Sequence, residues 1–259
     1  MKKIDNRADF EQAINFYESL RSYNFNYETE IKKLPERLRQ FIKEERAVFP
    51  KHLDIRLFKE LLIKELTALQ PRYKTDETAI KTIDLICQYA VRDSRFLTNE
   101  NFSFGKGLLI MGKVGCGKTL IFKGLIDLLK KFVSLDQGGH FVKIDANYIP
   151  AYTITETFVK IGFDIFTQGI PDDKFGKQFL MRDGLFVDDI GAENIVTNFG
   201  NTTNVLGEIF LRRYDKGLKT FATTNFDPKT LKQFYGERVY SRITEMMNFI
   251  TMDGGDRRK

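Results

Sequence analysis

The chain is poor in cysteine. Its 259 residues hold two, Cys87 and Cys116, which is too few for a disulfide framework or for a cysteine-rich zinc element. A reducing, cytoplasmic setting is the natural expectation. Long apolar runs are also missing. None approaches the roughly eighteen residues that a membrane span needs, so no membrane partner is expected. The first residues, MKKIDNRADFEQ (1–12), are charged with no apolar stretch behind them, unlike a secretory signal. Internal repeats and low-complexity segments are absent.

What remains is ordinary for a globular protein: 42% hydrophobic and 29% charged residues, in a length that suits one large domain or two modest ones. The formal charge of +6 and a pI of about 9.1 are compatible with a nucleic-acid partner. Bases and acids are mixed nearly throughout, except in GGDRRK (254–259). That cluster can touch nucleic-acid phosphates, although charged chain ends of this kind are also common.

The most informative stretch is GKVGCGKT (112–119). Gly112, four residues, then Gly117-Lys118-Thr119 is the full spacing of a phosphate-binding loop. Glycines let the backbone curl so that successive N–H groups point at a phosphate chain. Lys118 reaches the terminal phosphates, and the Thr119 hydroxyl suits Mg²⁺. The candidate nucleotide-binding set is Gly112, Lys113, Val114, Gly115, Cys116, Gly117, Lys118, Thr119 and Leu120. A flexible glycine turn would match by chance, but the flanks argue against that. GLLIMG (107–112) reads as a buried parallel strand. Residues 118–133 place Leu120, Ile121, Leu125, Leu128, Leu129 and Phe132 at helical spacing, and the start of that helix adds its dipole to the loop.

Upstream, apolar stripes predict helices over 10–23, 28–46, 53–69 and 75–93, with Pro35 starting the second and Thr75 or Asp76 capping the fourth. These read as a small helical module. From residue 105 the texture changes. Strand candidates at 107–112, 140–146, 184–191, 219–225 and 248–252 alternate with helical stretches, which argues for a parallel sheet covered on both faces.

LFVDDIG (185–191) is an apolar strand ending in two acids at the sheet edge where ligands bind in such folds. Asp188 is placed to hold Mg²⁺ and Asp189 to act as the base toward an attacking water. KTFATTNFDP (219–228) ends a strand in Thr223, Thr224 and Asn225. The amide can orient water or touch a γ-phosphate, and such residues also simply end strands. Asp227-Pro228 reads as a helix start. In YGERVYSRITEMMNF (235–249), Arg238 and Arg242 lie four apart on a helix. The plain reading is a surface helix with two salt-bridged arginines. The alternative is an arginine offered to a neighbouring subunit's γ-phosphate.

The ordered set GKVGCGKT, LFVDDIGAE, ATTNF and YGERVYSRI, over residues 100–252, resembles the AAA+ ATPases of the DnaC/DnaI helicase-loader and IstB transposition-helper group. The resemblance implies an α/β phosphate-loop core with a five-stranded parallel sheet of order 5-1-4-3-2, ATP and Mg²⁺ between subunits of a homo-oligomer, and work on DNA, single strands favoured. By position it implies that Lys118 and Thr119 bind phosphate and metal and that Asp188 binds the metal. Asp189 takes the catalytic acid's place, Asn225 that of sensor I, and Arg238 that of the arginine finger. Arg242 is a second finger or a sensor. Two departures stand out. The acid is Asp where many relatives have Glu, which implies slow hydrolysis stimulated by DNA or a partner. And only 34 residues follow Asn225, too few for a C-terminal helical lid.

The organisation expected is a helical partner-binding module over 1–95 and an ATPase domain over 96–259. Three functions fit the sequence: a loader of a replicative helicase, an IstB-like helper that assembles on duplex DNA and recruits a transposase, and a nucleotide switch with negligible turnover.

Overall fold

A computed structural model of the protein describes residues 7–19, 29, 32–36, 39, 54–73, 75–130, 133–135, 141–143, 147–167, 170, 179–198 and 201–257. The chain divides into two compact units, residues 1–100 with 120–145, and residues 101–119 with 146–259.

The first unit contains α1 (Arg7–Ser19), α2 (Ile55–Leu69) and α3 (Glu77–Ala90), and from Leu120 onward α4 (Lys118–Leu129). The first three match three of the four expected N-terminal helices. The helix expected over 28–46 lies mostly outside the described residues, but within it the Arg39 N–H donates to Pro35 O at 2.9 Å, so Pro35 opens a helical turn. Asp54 caps α2 by accepting from Arg56 N at 2.8 Å. Asp76 caps α3 by accepting from Ala79 N at 2.9 Å. Both carboxylates satisfy N–H groups that a helix start leaves unpaired. Leu57, Phe58, Leu61, Leu62 and Leu66 of α2 and Ile83, Ile86 and Cys87 of α3 are buried, which accounts for the apolar stripes. A short antiparallel hairpin, β2 (Val133–Leu135) with β3 (Phe141–Lys143), also belongs to this unit.

The second unit is built on five parallel strands: β1 (Gly107–Met111), β4 (Asn147–Pro150), β5 (Leu185–Ile190), β8 (Thr220–Thr224) and β9 (Met247–Thr251), in the spatial order β4-β5-β8-β1-β9. Counted in chain order from the β9 edge this is 5-1-4-3-2, the order that the resemblance implies. The strand expected over 140–146 is corrected: Phe141–Lys143 pairs antiparallel with β2, and the sheet's edge strand is the next segment, Asn147–Pro150. Pro150 ends that strand, where a missing N–H costs least. A second hairpin, β6 (Val196–Asn198) with β7 (Asn201–Thr203), follows β5.

β1 and β8 are buried at every residue, as a strand covered on both faces must be. Phe186 of β5 stacks on Phe221 of β8 at 4.4 Å, the pair being in register. The core below the sheet is closed by α5 (Ala151–Ile161), α6 (Val205–Asp215) and α7 (Pro228–Met246), through Ile154, Phe158, Leu206, Ile209, Phe210, Leu231 and Ile243. The α7 start is the expected one, Asp227 accepting from Thr230 N at 2.8 Å with Pro228 in the first turn. Asn248 of β9 fixes the approach to β1, donating to Ser103 O and Gly107 O and accepting from Ser103 N.

Among the described residues, the largest fully buried side chain is a charged one, Arg213 of α6. Its guanidinium donates to Leu180 O (2.5 Å), Arg182 O (2.9 Å), Lys219 O (2.7 Å) and Thr220 Oγ1 (2.8 Å). Burial pushes its pKa down to about 10. The planar fork reaches acceptors on both sides of the β5–β8 start, which no lysine could span. Arg213→Met should lower the unfolding free energy by about 3 kcal/mol, because the buried Leu180 O and the part-buried Arg182 O and Lys219 O all lose a charged donor. Urea denaturation measures this, and a loss under about 1 kcal/mol would mean that water replaces the guanidinium.

Candidate nucleotide site

The site lies at the C-terminal edge of β1, β5 and β8. The loop between β1 and α4 turns through Gly115 (φ 83°) and Gly117 (φ 102°), left-handed conformations that glycine adopts without strain. The Lys118 ammonium is folded into this loop, with the residue only 5% exposed. It donates to Gly112 O (2.8 Å), Lys113 O (2.9 Å) and Asn225 Oδ1 (2.7 Å). Burial holds its pKa below the usual lysine value, against the raising effect of Cys116, Asp189 and Asp188. Cys116 is buried and free, as is Cys87.

β5 does not end as a regular strand. Its register against β8 shifts between Val187 and Ile190, and Asp189 takes a left-handed φ of 60°, an uncommon state for a residue with a side chain. Thr223 of β8 accounts for it. Its hydroxyl accepts from Asp189 N at 2.8 Å and donates to Asp188 Oδ1 at 2.6 Å. The two successive acids, which a regular strand would send to opposite faces, therefore both serve the same edge.

Asp188 is buried and well supplied with donors. Oδ1 accepts from Thr119 Oγ1 at 3.0 Å and Oδ2 from the Tyr148 hydroxyl at 2.9 Å. Burial and the Asp188 carboxylate push the Tyr148 pKa up, so the phenol stays a donor. Asp189 Oδ1 accepts from Asn225 Nδ2 at 2.5 Å. Asn225 thus spans Lys118 and Asp189, with its carbonyl on the cation and its amide on the carboxylate.

The structure brings together Gly112, Lys118, Thr119, Asp188, Asp189 and Asn225. Lys113, Val114, Gly115, Cys116 and Gly117 complete the loop, and Leu120 follows in α4. The two arginines of α7 differ. Arg242 is engaged within its own chain, donating to Glu245 Oε1 at 3.0 Å and lying 4.4 Å over the Tyr214 ring. Arg238, one turn earlier, is exposed and takes no part in these contacts. The helix itself is broken at Gly236, whose φ is 78°.

Three residues are not legible in the sequence as site residues: Tyr148, Thr223 as a partner of both acids, and Glu193. Glu193 is buried, accepts from Gly191 N at 2.6 Å and from the Tyr235 hydroxyl, and burial raises its pKa. The GAE after the acids signals it only as part of a motif. Thr119 and Asp188 offer a hydroxyl and a carboxylate side by side, oxygen donors of the kind Mg²⁺ takes along with water and phosphate.

Thr223→Val keeps the shape and removes the hydroxyl. It should lower stability by about 1–3 kcal/mol and slow any reaction that depends on Asp189, while Thr223→Ser should restore both. Equal stability and turnover in the valine variant would mean that the turn at Asp189 does not need this hydroxyl.

No family model and no curated protein matches the chain. Among solved structures it is similar to the DnaC helicase loader, at 18% identity over 71% of this chain and 95% of that one, TM-score 0.44. It is similar to DnaI at 25% identity over 71% and 86%, TM-score 0.43. It is also similar to AMPPCP-bound DnaA from Aquifex aeolicus, at 19% identity over 73% and 53%, TM-score 0.42.

Proposed function

We propose that the protein is an ATPase that loads or remodels a replicative helicase on DNA, binding Mg·ATP at the site described and hydrolysing it slowly. The observation that carries the nucleotide part is the convergence on one sheet edge of a curled glycine loop with its buried lysine, a Thr119–Asp188 oxygen pair, and Asp189 aligned by Asn225. The sequence resemblance supports the loader part, with residues 1–95 gripping the helicase and 96–259 forming the ATPase.

The Lys118 ammonium is already seated in the loop, so a triphosphate exchanges carbonyl partners for phosphate oxygens with little rearrangement. Thr119 and Asp188 would hold Mg²⁺, which supplies charge neutralisation at the phosphates. Asp189 takes a proton from the attacking water as its oxygen bonds to the γ-phosphorus and the bond to ADP breaks. Asn225 holds Asp189 in place. An aspartate has a shorter reach than glutamate, in keeping with slow turnover. Arg238 serves the neighbouring subunit's nucleotide in a homo-oligomer, and Arg242, tied to Glu245 and Tyr214, positions the helix that presents it.

Lys118→Ala should abolish binding of a fluorescent ATP analogue in a folded protein. Asp189→Asn should bind it as wild type does and hydrolyse at least about tenfold more slowly. Single-stranded DNA should stimulate the wild-type rate more than duplex. The reverse preference would favour a transposition helper, and no turnover under any condition would favour a nucleotide switch.

Arg238→Ala and Lys118→Ala, each inactive alone, should regain part of the activity when mixed, because some interfaces then pair an intact loop with an intact arginine. Such fingers are worth roughly 10³–10⁵ in rate where best characterised. A dead mixture whose mixed oligomers are seen by native mass spectrometry would remove Arg238 from the site.

A further inference from the structure

The segment GGDRRK reads in the sequence either as a cluster that can touch nucleic-acid phosphates or as an ordinary charged chain end. Its described residues, 254–257, pack against the glycine loop. After β9, Met252 N donates to Met111 O at 2.7 Å, and a side chain at Gly112 would collide with Met252 O. This seats the following residues on the phosphate loop. Arg257 N then donates to Gly115 O at 3.0 Å, and the Arg257 guanidinium donates to Cys116 O. The same guanidinium donates to Asp253 O at 3.3 Å, which folds the segment back on itself. A Cβ at Gly254 would run into that guanidinium, and one at Gly115 into the Asp256 carboxylate. The fit is close on both sides.

We infer that Arg257 is a positioning residue for the phosphate loop, holding it in its anion-binding curvature from outside. This rests on the nucleotide reading above. The physical reason is the division of the loop's carbonyls. A loop that aims N–H groups inward at phosphate turns carbonyls outward, and those carbonyls need donors. Lys118 supplies Gly112 O and Lys113 O. Arg257 supplies Gly115 O and Cys116 O. When Lys118 turns to phosphate oxygens, Gly112 O is released and Lys113 O keeps the Cys116 N–H. The Arg257 contacts lie on the other half of the loop and remain, so the turn at 115–116 keeps its shape while the lysine changes partners.

The test compares wild type, Arg257→Ala and Arg257→Lys as full chains, reading ATP and ADP affinity, the KM and kcat of hydrolysis, and the melting temperature. Arg257→Ala should weaken both nucleotides about tenfold, the worth of one charge-assisted hydrogen bond. It should raise KM with kcat within about twofold, since the guanidinium touches no reacting atom. Arg257→Lys should recover part of the affinity, because an ammonium can still reach a carbonyl. Unchanged affinity in Arg257→Ala, a fall in melting temperature alone, or tighter binding on removal of the guanidinium would each overturn the inference. Failure of the wild type to bind ATP would instead remove the nucleotide reading itself. Should the alanine variant not fold, the lysine variant decides: wild-type affinity there, with the guanidinium gone, would mean that the fork is not what holds the loop.

Discussion

The Thr223 hydroxyl is the point on which the candidate site depends. It accepts from the Asp189 backbone and donates to the Asp188 carboxylate, and so stabilises a left-handed residue where a strand would otherwise continue. Left-handed backbone in a residue with a side chain costs of order 1 kcal/mol or more. The hydrogen bond from Asp189 N offsets that cost at the place where it arises. Without it β5 would keep its alternation, and one of the two acids would turn away from the loop. The position of Asp188 beside Thr119, and of Asp189 beside Asn225, follows from this one interaction between neighbouring strands.

Buried charge in the second unit is handled by oxygen atoms more than by opposite charges. Arg213 is surrounded by three carbonyls and a hydroxyl, and Lys118 by two carbonyls and an amide oxygen. The two differ in permanence. The carbonyls around Arg213 belong to the backbone leading into β5 and β8, and no ligand can displace it from them. Lys118 sits at an open edge, and burial already weakens its hold on its proton. An arriving polyanion would offset that desolvation by its attraction for the ammonium. The two buried cations thus differ in what could compete for them.

The parts legible in the sequence are those carried by local pattern. The glycine loop, the buried β1 and β8, the Asp227-Pro228 helix start and the Asp76 cap all announce themselves within a few residues. The strand order does not follow from spacing; the resemblance implies it. The edge strand Asn147–Pro150 escapes a sequence reading because four residues with asparagine, tyrosine and proline show no apolar run, while the preceding HFVKIDA does. Part of that run is an antiparallel hairpin strand, and alternation alone cannot tell which sheet a strand joins. Tyr148, Glu193 and the double role of Thr223 are hidden for another reason. Each acts on a residue far away in the chain, and a lone tyrosine or threonine carries no sign of its partner.

Arg238 and Arg242 lie one turn apart in α7 but differ in their surroundings. The sequence leaves the pair open between a salt-bridged surface helix and a finger. Arg242 takes the first course, bound to Glu245 and over Tyr214, and Arg238 is left exposed. The break at Gly236 divides α7 in two. Before it, Tyr235 is buried and donates to Glu193, whose other oxygen takes the Gly191 N–H two residues beyond Asp189. After it comes the exposed arginine. A continuous helix would carry Arg238 on a course fixed by the packing of Leu231 and Tyr235. The glycine separates the two: the first half of α7 answers to the acidic turn through Tyr235, while the second half is held by the buried Ile243 and by Arg242 over Tyr214.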